Sequence, residues 1–425
     1  MSRYYLWTIG CQMNQAESER LCRHLEKAGY AAADSIDDAS LVVLNSCVVR
    51  QSAEDRVVNK LHVLKRWKAR QPGRALALTG CLVEADTVPL RRKFPHVDYF
   101  LKPGEYPCWL SGGADPAPLP PTAPSVYVPI IQGCNNACSY CIVPSRRGRE
   151  KSRPAAEIIR EAQALAARGT KEIILLGQNV DAYGKDLKDG TDLADLLTDL
   201  NDIPGLERLR FLTNHPRDVS PRLISAMATL DRVCEQIGLP VQSGSDAVLR
   251  AMRRGYTVAD YREIIRRLRR EMPGIALSTD VIVGFPSETE SQFRETADLL
   301  AEMRFATVHV AAYSPRPGTY AARELADNIP AEEKKRRLQA VEQLQKEIVA
   351  ADNAALLGQT VEVLVTGRKE GKWWGRTRTD KLVFFRDNGE HTGQLVKVTI
   401  SHTSPWSLQG EPVNTARREK VKCGK

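Results

Sequence analysis

The 425-residue sequence predicts an α/β protein in three parts, and three observations carry that reading. Apolar β-type runs alternate with helical patterns through the first two parts, as parallel sheets with covering helices require. A Pro- and Gly-rich stretch separates those parts and can hold neither a helix nor a ladder. The last part has only short alternating runs punctuated by turn residues, the pattern of a small antiparallel β-barrel. The expected divisions are a parallel-sheet α/β domain over 1–102, a linker over 103–125, a core over 126–356 and the barrel over 357–425.

In the first part, strands are expected at Tyr4–Ile9, Leu41–Leu44, Ala75–Leu78 and Val97–Leu101, with amphipathic helices at Ala16–Ala28 and Ala53–Ala69 between them. The core offers six strands: Tyr127–Gln132, Glu172–Leu176, Arg208–Leu212, Gln236–Val241, Ala276–Val283 and Ala306–Tyr313. Helical patterns such as Ala155–Ala167, Val258–Arg270 and Glu290–Met303 separate them. Six βα units make a curved parallel sheet, and spacing leaves open a partial barrel or a doubly wound sheet. A charged helix, Ala331–Leu356, leads to runs at Val361–Thr366, Lys381–Phe385, Leu395–Ile400 and Trp406–Gln409.

A net charge of +9 favours polyanionic partners, nucleic acid first. Residues 357–425 hold 13 Lys and Arg against 7 Asp and Glu, so six of the nine surplus charges fall there. No run reaches the ~20 apolar residues of a membrane span, and Met1–Gly10 lacks the pattern of a signal peptide. A cytoplasmic protein away from membranes is expected, where ten cysteines point to metal or redox chemistry before disulfides.

Two cysteine trios stand out. Cys134, Cys138 and Cys141 form C-x3-C-x2-C directly after a strand. Three thiolates on one loop can hold three irons of a [4Fe–4S] cluster and leave the fourth iron open, as catalytic centres do. At that open iron the amino and carboxylate groups of S-adenosylmethionine (SAM) can bind, and reduction then releases a deoxyadenosyl radical. Cys11, Cys47 and Cys81 are distant in sequence, but each follows one of the first three strands. Parallel strands end on one edge, so these thiols are expected at a second three-cysteine site. Cys22, Cys108, Cys234 and Cys423 read as structural.

At this point a family resemblance covers nearly the whole chain. Gly10-Cys11-Gln12-Met13-Asn14, Asn45-Ser46-Cys47-Val48-Val49-Arg50 and Thr79-Gly80-Cys81 resemble the N-terminal domain of the methylthiotransferases. Gly133 to Cys141, Arg147-Gly148, Ser152-Arg153-Pro154, Leu176-Gly177-Gln178-Asn179-Val180, Leu239 to Asp246 and Thr279 to Pro286 are similar to their radical SAM core. The C-terminal part resembles their TRAM domain, an RNA-binding barrel, with Gly375 to Thr379 and Trp406-Ser407-Leu408 most like the tRNA-modifying branch. Gln51 and Ser145-Arg146 depart from the usual pattern.

The resemblance implies a partial (β/α)6 radical SAM barrel, two [4Fe–4S] clusters and SAM. It implies 2-methylthiolation of N6-isopentenyl (dimethylallyl) adenosine 37 beside the tRNA anticodon. The core trio would serve the radical, and the N-terminal trio would handle sulfur. An electron donor such as flavodoxin or ferredoxin, and proteins that supply sulfur and clusters, are expected partners. Other targets are N6-threonylcarbamoyladenosine 37 or a ribosomal-protein aspartate; from another class, a non-enzymatic iron–sulfur RNA-binding sensor. Gly177, Gln178, Gln242, Ser243 and Gly284 at strand ends are either SAM contacts or turn and cap residues. Lys372, Trp374, Arg376, Arg378 and Arg386 interleave cations with aromatics, the mixture that grips phosphates and stacks bases of the anticodon stem-loop.

Overall fold

The computed structural model describes residues 2–84, 86–105, 110 and 123–413. Most of the expected linker, with Cys108 and Cys423, lies outside the described residues. Strands β1 (Arg3–Thr8), β2 (Ala31–Ala32), β3 (Leu41–Ser46), β4 (Ala75–Gly80) and β5 (Tyr99–Leu101) form a parallel sheet in the order β2-β1-β3-β4-β5. The central β3 is buried throughout, so it reads as an unbroken apolar run where an edge strand would alternate. Helices Gln12–Lys27 and Gln51–Ala69 cover this sheet and begin a few residues earlier than hydropathy indicated.

The core strands are β6 (Ser125–Pro129), β9 (Glu172–Leu176), β10 (Arg208–Phe211), β11 (Gln236–Gly238), β12 (Ala276–Val283) and β13 (Thr307–Ala312). The first three and the last three form parallel sheets, and a parallel bridge between Leu209 and Val233 joins them. Spatial order therefore follows chain order, as when each right-handed crossover adds its strand to the same edge. The result is an open, curved (β/α)6 sheet, which decides the question that spacing had left open. Two expected strands break at a proline, while Arg208–Leu212 and Ala306–Tyr313 lose only one or two end residues. The run Tyr127–Gln132 splits at Pro129, after which β7 (Ile131–Gln132) turns to pair antiparallel with β8 (Lys151–Ser152). β11 stops at Gly238: Leu239 N still donates to the Ser278 carbonyl, but past Pro240 the Val241 N–H turns to Thr279 Oγ1 at 2.9 Å.

Two of the longer core helices start where side chains cap them. Thr257 with Asp260, and Thr289 with Gln292, form reciprocal capping boxes at Val258–Glu271 and Glu290–Met303.

The last part is a closed barrel of β14 (Thr360–Lys369), β15 (Lys372–Arg376), β16 (Leu382–Phe385), β17 (Leu395–Thr403) and β18 (Leu408–Pro412). Its order is β14-β15-β16-β18-β17, and one pair, β16 with β18, is parallel where the sequence predicted antiparallel pairing throughout. The barrel docks on the amino-terminal ends of the core strands. Arg208 Nη1 donates to the Arg376 carbonyl at 2.7 Å, and Arg210 to the carbonyls of Thr377 and Arg378 at 2.6 and 2.8 Å. No described helix is long and apolar enough to cross a membrane.

Arg210 also pairs with Glu172 at 2.7 Å, both side chains being buried. Removing one partner of such a pair strands the other charge. Glu172→Ala is expected to cost roughly 3–5 kcal/mol, read as a lower denaturation midpoint in guanidinium.

Candidate active site

The first trio in chain order is assembled by glycines and asparagines at the carboxyl edge of the first sheet. Gly10 (φ +138°) and Gly80 (φ +89°) adopt backbone that favours glycine, and a Cβ on either would clash: 2.9 Å from the Cys47 Cβ and 2.3 Å from the Ser46 carbonyl. The loops can therefore close on one another. Asn14, fully buried, donates from Nδ2 to Asn45 Oδ1 at 2.9 Å and to the Ser46 carbonyl at 2.8 Å. The Cys81 amide donates to that same carbonyl at 2.8 Å. Cys11 Sγ donates to Asn14 Oδ1 at 3.3 Å, so all three cysteine loops hang on one asparagine and one serine. The Cys47 thiol lies within electrostatic reach of both Cys11 and Cys81. Burial pushes the Cys47 thiol up, and the Cys81 thiol up to about 11.

The second trio is built on the loop after β7. Gly133 (φ +83°) brings the chain against Arg149, and its amide donates to Gln178 Oε1 at 2.6 Å. The Cys134 amide donates to the Gly148 carbonyl and the Cys141 amide to that of Cys138, both at 3.1 Å. Ser139 ties the loop to the helix Asp246–Ala251 and its end, through the carbonyls of Ala251 and Met252. Cys141 is within electrostatic reach of Cys134 and Cys138, and burial pushes its thiol up to about 12. Among the described residues no three ligand side chains converge tightly enough for a single metal ion. A cluster with four irons spreads its thiolates over the corners of a cube, and each trio leaves one corner without a cysteine.

The two trios share one space. Ile142, next to Cys141, is buried in the hydrophobic core of the first sheet. Met13 and Ala16, just past Cys11, pack over Leu176 with Tyr127, Ile174 and Leu212 of the core strands. Arg147 follows Cys141 on the short helix Val143–Arg147 and crosses to the first sheet. There it donates to Cys81 Sγ at 3.2 Å, to Glu17 at 2.5 Å and to Asn14 at 3.2 Å. Arg316 binds Gln51 at 2.7 Å and also pairs with Glu54, tying the far side of the core to the same domain. A cavity of about 1320 Å³ reaches Gln12 and Arg50 of the first domain, Tyr127 and His309 of the core, and Trp374 and Arg376 of the barrel.

The residues expected to contact SAM divide. Gln178 holds Gly133 of the cysteine loop, and Gln242 (φ +71°) bridges to Val281 at a strand end. Gly177 packs against Ile131, where a Cβ would lie 2.4 Å from that side chain. Ser243 is fully buried and bonds Thr296 Oγ1 at 3.3 Å, while the Gly284 amide donates to Glu288 at 2.6 Å over the stem of Lys334. These last two build turns. On the barrel, Arg376 and Arg386 are exposed, and Lys372 and Trp374 are half-buried on β15. Arg378 differs from them: its guanidinium binds Glu235 at 2.7 and 2.8 Å and the Val233 carbonyl, so it faces the core. Sequence reasoning missed Arg147 and Arg254 as neighbours of cysteine sulfur. The Arg147-Gly148 pair after the cysteine loop was visible, but nothing in its spacing names Cys81.

These arrangements define a radical SAM enzyme with a second cysteine-lined site, and comparison with known proteins agrees. The radical SAM superfamily matches residues 128–300, the uncharacterized protein family UPF0004 residues 3–102 and the TRAM domain residues 354–413. A Dehalococcoides mccartyi protein named tRNA-2-methylthio-N(6)-dimethylallyladenosine synthase is 54% identical over 97% of this chain and 99% of its own. A Roseiflexus protein of the same name is 50% identical over 96% and 89%. In fold, the chain is similar to the radical SAM methyltransferase TsrM of Kitasatospora setae, with TM-score 0.55, 16% identity and coverage of 76% and 77%. The cobalamin-dependent radical enzyme OxsB gives TM-score 0.52 at 13% identity, covering 81% and 56%. The chain belongs to the radical SAM methylthiotransferases, in the branch that carries the relatives' name. It is a transferase of sulfur-containing groups that works with [4Fe–4S] clusters and SAM.

Behind Cys138, His215 is buried against Tyr256 and near Arg254, and burial with that charge pushes its imidazole from 6.5 to about 3. As the pH falls below 6.5 the unfolded chain takes the proton and the folded one does not. The contribution is therefore present above about 6.5 and is lost as pH falls toward about 3. His215→Gln should flatten the acid limb of the stability–pH profile in that window, measured by thermal unfolding.

Proposed function

We propose that this chain 2-methylthiolates N6-isopentenyl (dimethylallyl) adenosine 37 of tRNA, with Cys134, Cys138 and Cys141 holding the cluster that works with SAM. Cys11, Cys47 and Cys81 hold the cluster that handles sulfur. The observation that carries this reading is the cavity reaching from Gln12 and Arg50 of the first domain to Trp374 and Arg376 on the barrel. A [4Fe–4S] cluster held by Cys134, Cys138 and Cys141 would, when reduced and bound to SAM, supply the radical chemistry for hydrogen abstraction. The protein's own part is to hold and screen. Met13 and Ala16 pack across the strand ends and shield the interior from water. Gly177, Gln178 and Gln242 border the space for SAM at the carboxyl ends of the strands. Ser243 and Gly284, occupied with turns, support them.

The target is an RNA. Lys372, Trp374, Arg376 and Arg386 meet the anticodon stem-loop, with Trp374 and Arg376 at the cavity where a base enters. Arg378 serves the same purpose indirectly, by fixing the barrel on Glu235. Division into domains at 1–102, 126–356 and 357–425, with a linker between the first two, remains our reading. The protein works in the cytoplasm and takes electrons from a flavodoxin or ferredoxin, with sulfur and clusters from assembly proteins.

Cys138→Ala in the reconstituted protein should halve the bound iron and abolish 5′-deoxyadenosine formation from SAM and reductant, whereas Cys22→Ala should retain both. Mass spectrometry of tRNA nucleosides from a deletion strain should show the methylthio mark lost from isopentenyladenosine alone. Loss from threonylcarbamoyladenosine instead would move the target. Retention of both marks, with no deoxyadenosine formed by the purified protein, would leave an iron–sulfur RNA-binding sensor. For RNA binding, Arg386→Ala should weaken affinity across sequences and reduce the salt slope by about 1.

A further inference from the structure

Each cysteine trio has one buried guanidinium ending on sulfur. Arg147 Nε donates to Cys81 Sγ at 3.2 Å, and Arg254 Nη1 donates to Cys138 Sγ at 3.3 Å. The two arginines are 7% and 4% exposed. Guanidinium stays protonated in proteins, so each carries a full charge into a region of low dielectric.

What balances those charges differs. Glu17 meets Arg147 with both carboxylate oxygens, at 2.5 and 3.2 Å. Arg254 donates elsewhere only to the Pro240 carbonyl at 3.0 Å and the Tyr256 hydroxyl at 3.0 Å. Among the described residues no carboxylate forms an ion pair with it. The Asp280 carboxylate lies within electrostatic reach but is not bonded to it, and a buried cation without a bonded anion is costly. A cluster bound by thiolates is a net anion, and taking up an electron adds one more negative charge. The arginine that lacks a bonded carboxylate therefore stands at the cluster that must accept an electron before SAM can be cleaved.

We propose that Arg254 and Arg147 set the reduction potentials of the two clusters through these N–H···S bonds. Arg254 acts through both charge and hydrogen bond. Arg147 acts mainly through its hydrogen bond, because Glu17 offsets much of its charge. Both favour the reduced cluster and so raise its potential. The electron comes from the external donor and, at the core cluster, would pass on to the sulfonium of SAM when its C–S bond breaks to methionine and the deoxyadenosyl radical; no proton or bond is exchanged with the arginine. These are positioning and tuning residues, and their role rests on the six cysteines being cluster ligands.

The test uses the full chain, reconstituted with iron and sulfide, in two backgrounds in which one trio or the other is replaced by alanine. Iron and sulfide analysis reports loading, and EPR-monitored potentiometry reports the midpoint of the remaining cluster. Arg254→Met should lower the midpoint of the core cluster, by more than Arg147→Met lowers that of the N-terminal cluster. Neither change should move the other cluster. A fully loaded Arg254→Met protein with an unchanged midpoint would overturn the proposal, as would a larger shift from Arg147→Met. If Arg254→Met fails to load, Arg254→Lys and Arg254→Gln decide. Lys should stay near the parent and Gln fall below it, and equal midpoints would refute the role of charge. Absence of iron from either background with an intact arginine would instead count against the ligand assignment.

Discussion

Arg147 leaves its helix six residues after Cys141 and ends among the loops of the other domain, bonded to Cys81, Glu17 and Asn14. Two cysteine sites on separate sheets thus share one rigid connection, which passes through the backbone of the core loop and the guanidinium plane. Five donors in a fixed fork set orientation as well as distance, which a lysine could not do. Ile142 buried in the first core, and Arg316 against Gln51 and Glu54, hold the same two bodies at other points.

The thiols themselves favour a neutral pocket until metal arrives. Burial dominates at Cys47, Cys81, Cys134 and Cys141 and raises all four, so the protonated forms are preferred in the folded chain. Metal ligation requires thiolates and releases their protons, so loading depends on pH and stabilises the fold. Arg147 on sulfur lessens that penalty at Cys81. Cys22 and Cys234 are also raised by burial, yet each has neighbours of a different kind, Tyr4 and Glu26 in one case and Arg210 in the other. They belong to packing.

The barrel's placement follows from arginines on core strands that bind barrel carbonyls. Arg208 and Arg210 reach the backbone of Arg376, Thr377 and Arg378, which orients β15 and leaves Arg376 beside the cavity. The end of β15 and the turn after it thus dock through backbone carbonyls and the Arg378 side chain, while the Arg376 side chain stays exposed.

Much of this was legible in the residue order. Strand and helix patterns are local and periodic, so Glu172–Leu176, Ala276–Val283 and Ala155–Ala167 match their observed bounds. The C-x3-C-x2-C loop is local too, and the carboxyl-edge rule for parallel strands brought Cys11, Cys47 and Cys81 together without coordinates. Two strands break at prolines, an effect that pattern reading underestimated. Only the tertiary structure decided that the core sheet curls open and that one barrel pair is parallel. It alone turned Arg378 inward and brought Arg147 and Arg254 to sulfur. Each of those rests on contacts between residues far apart in the chain. No periodicity encodes such a contact, because it depends on how packed layers meet and on which buried charge finds a partner.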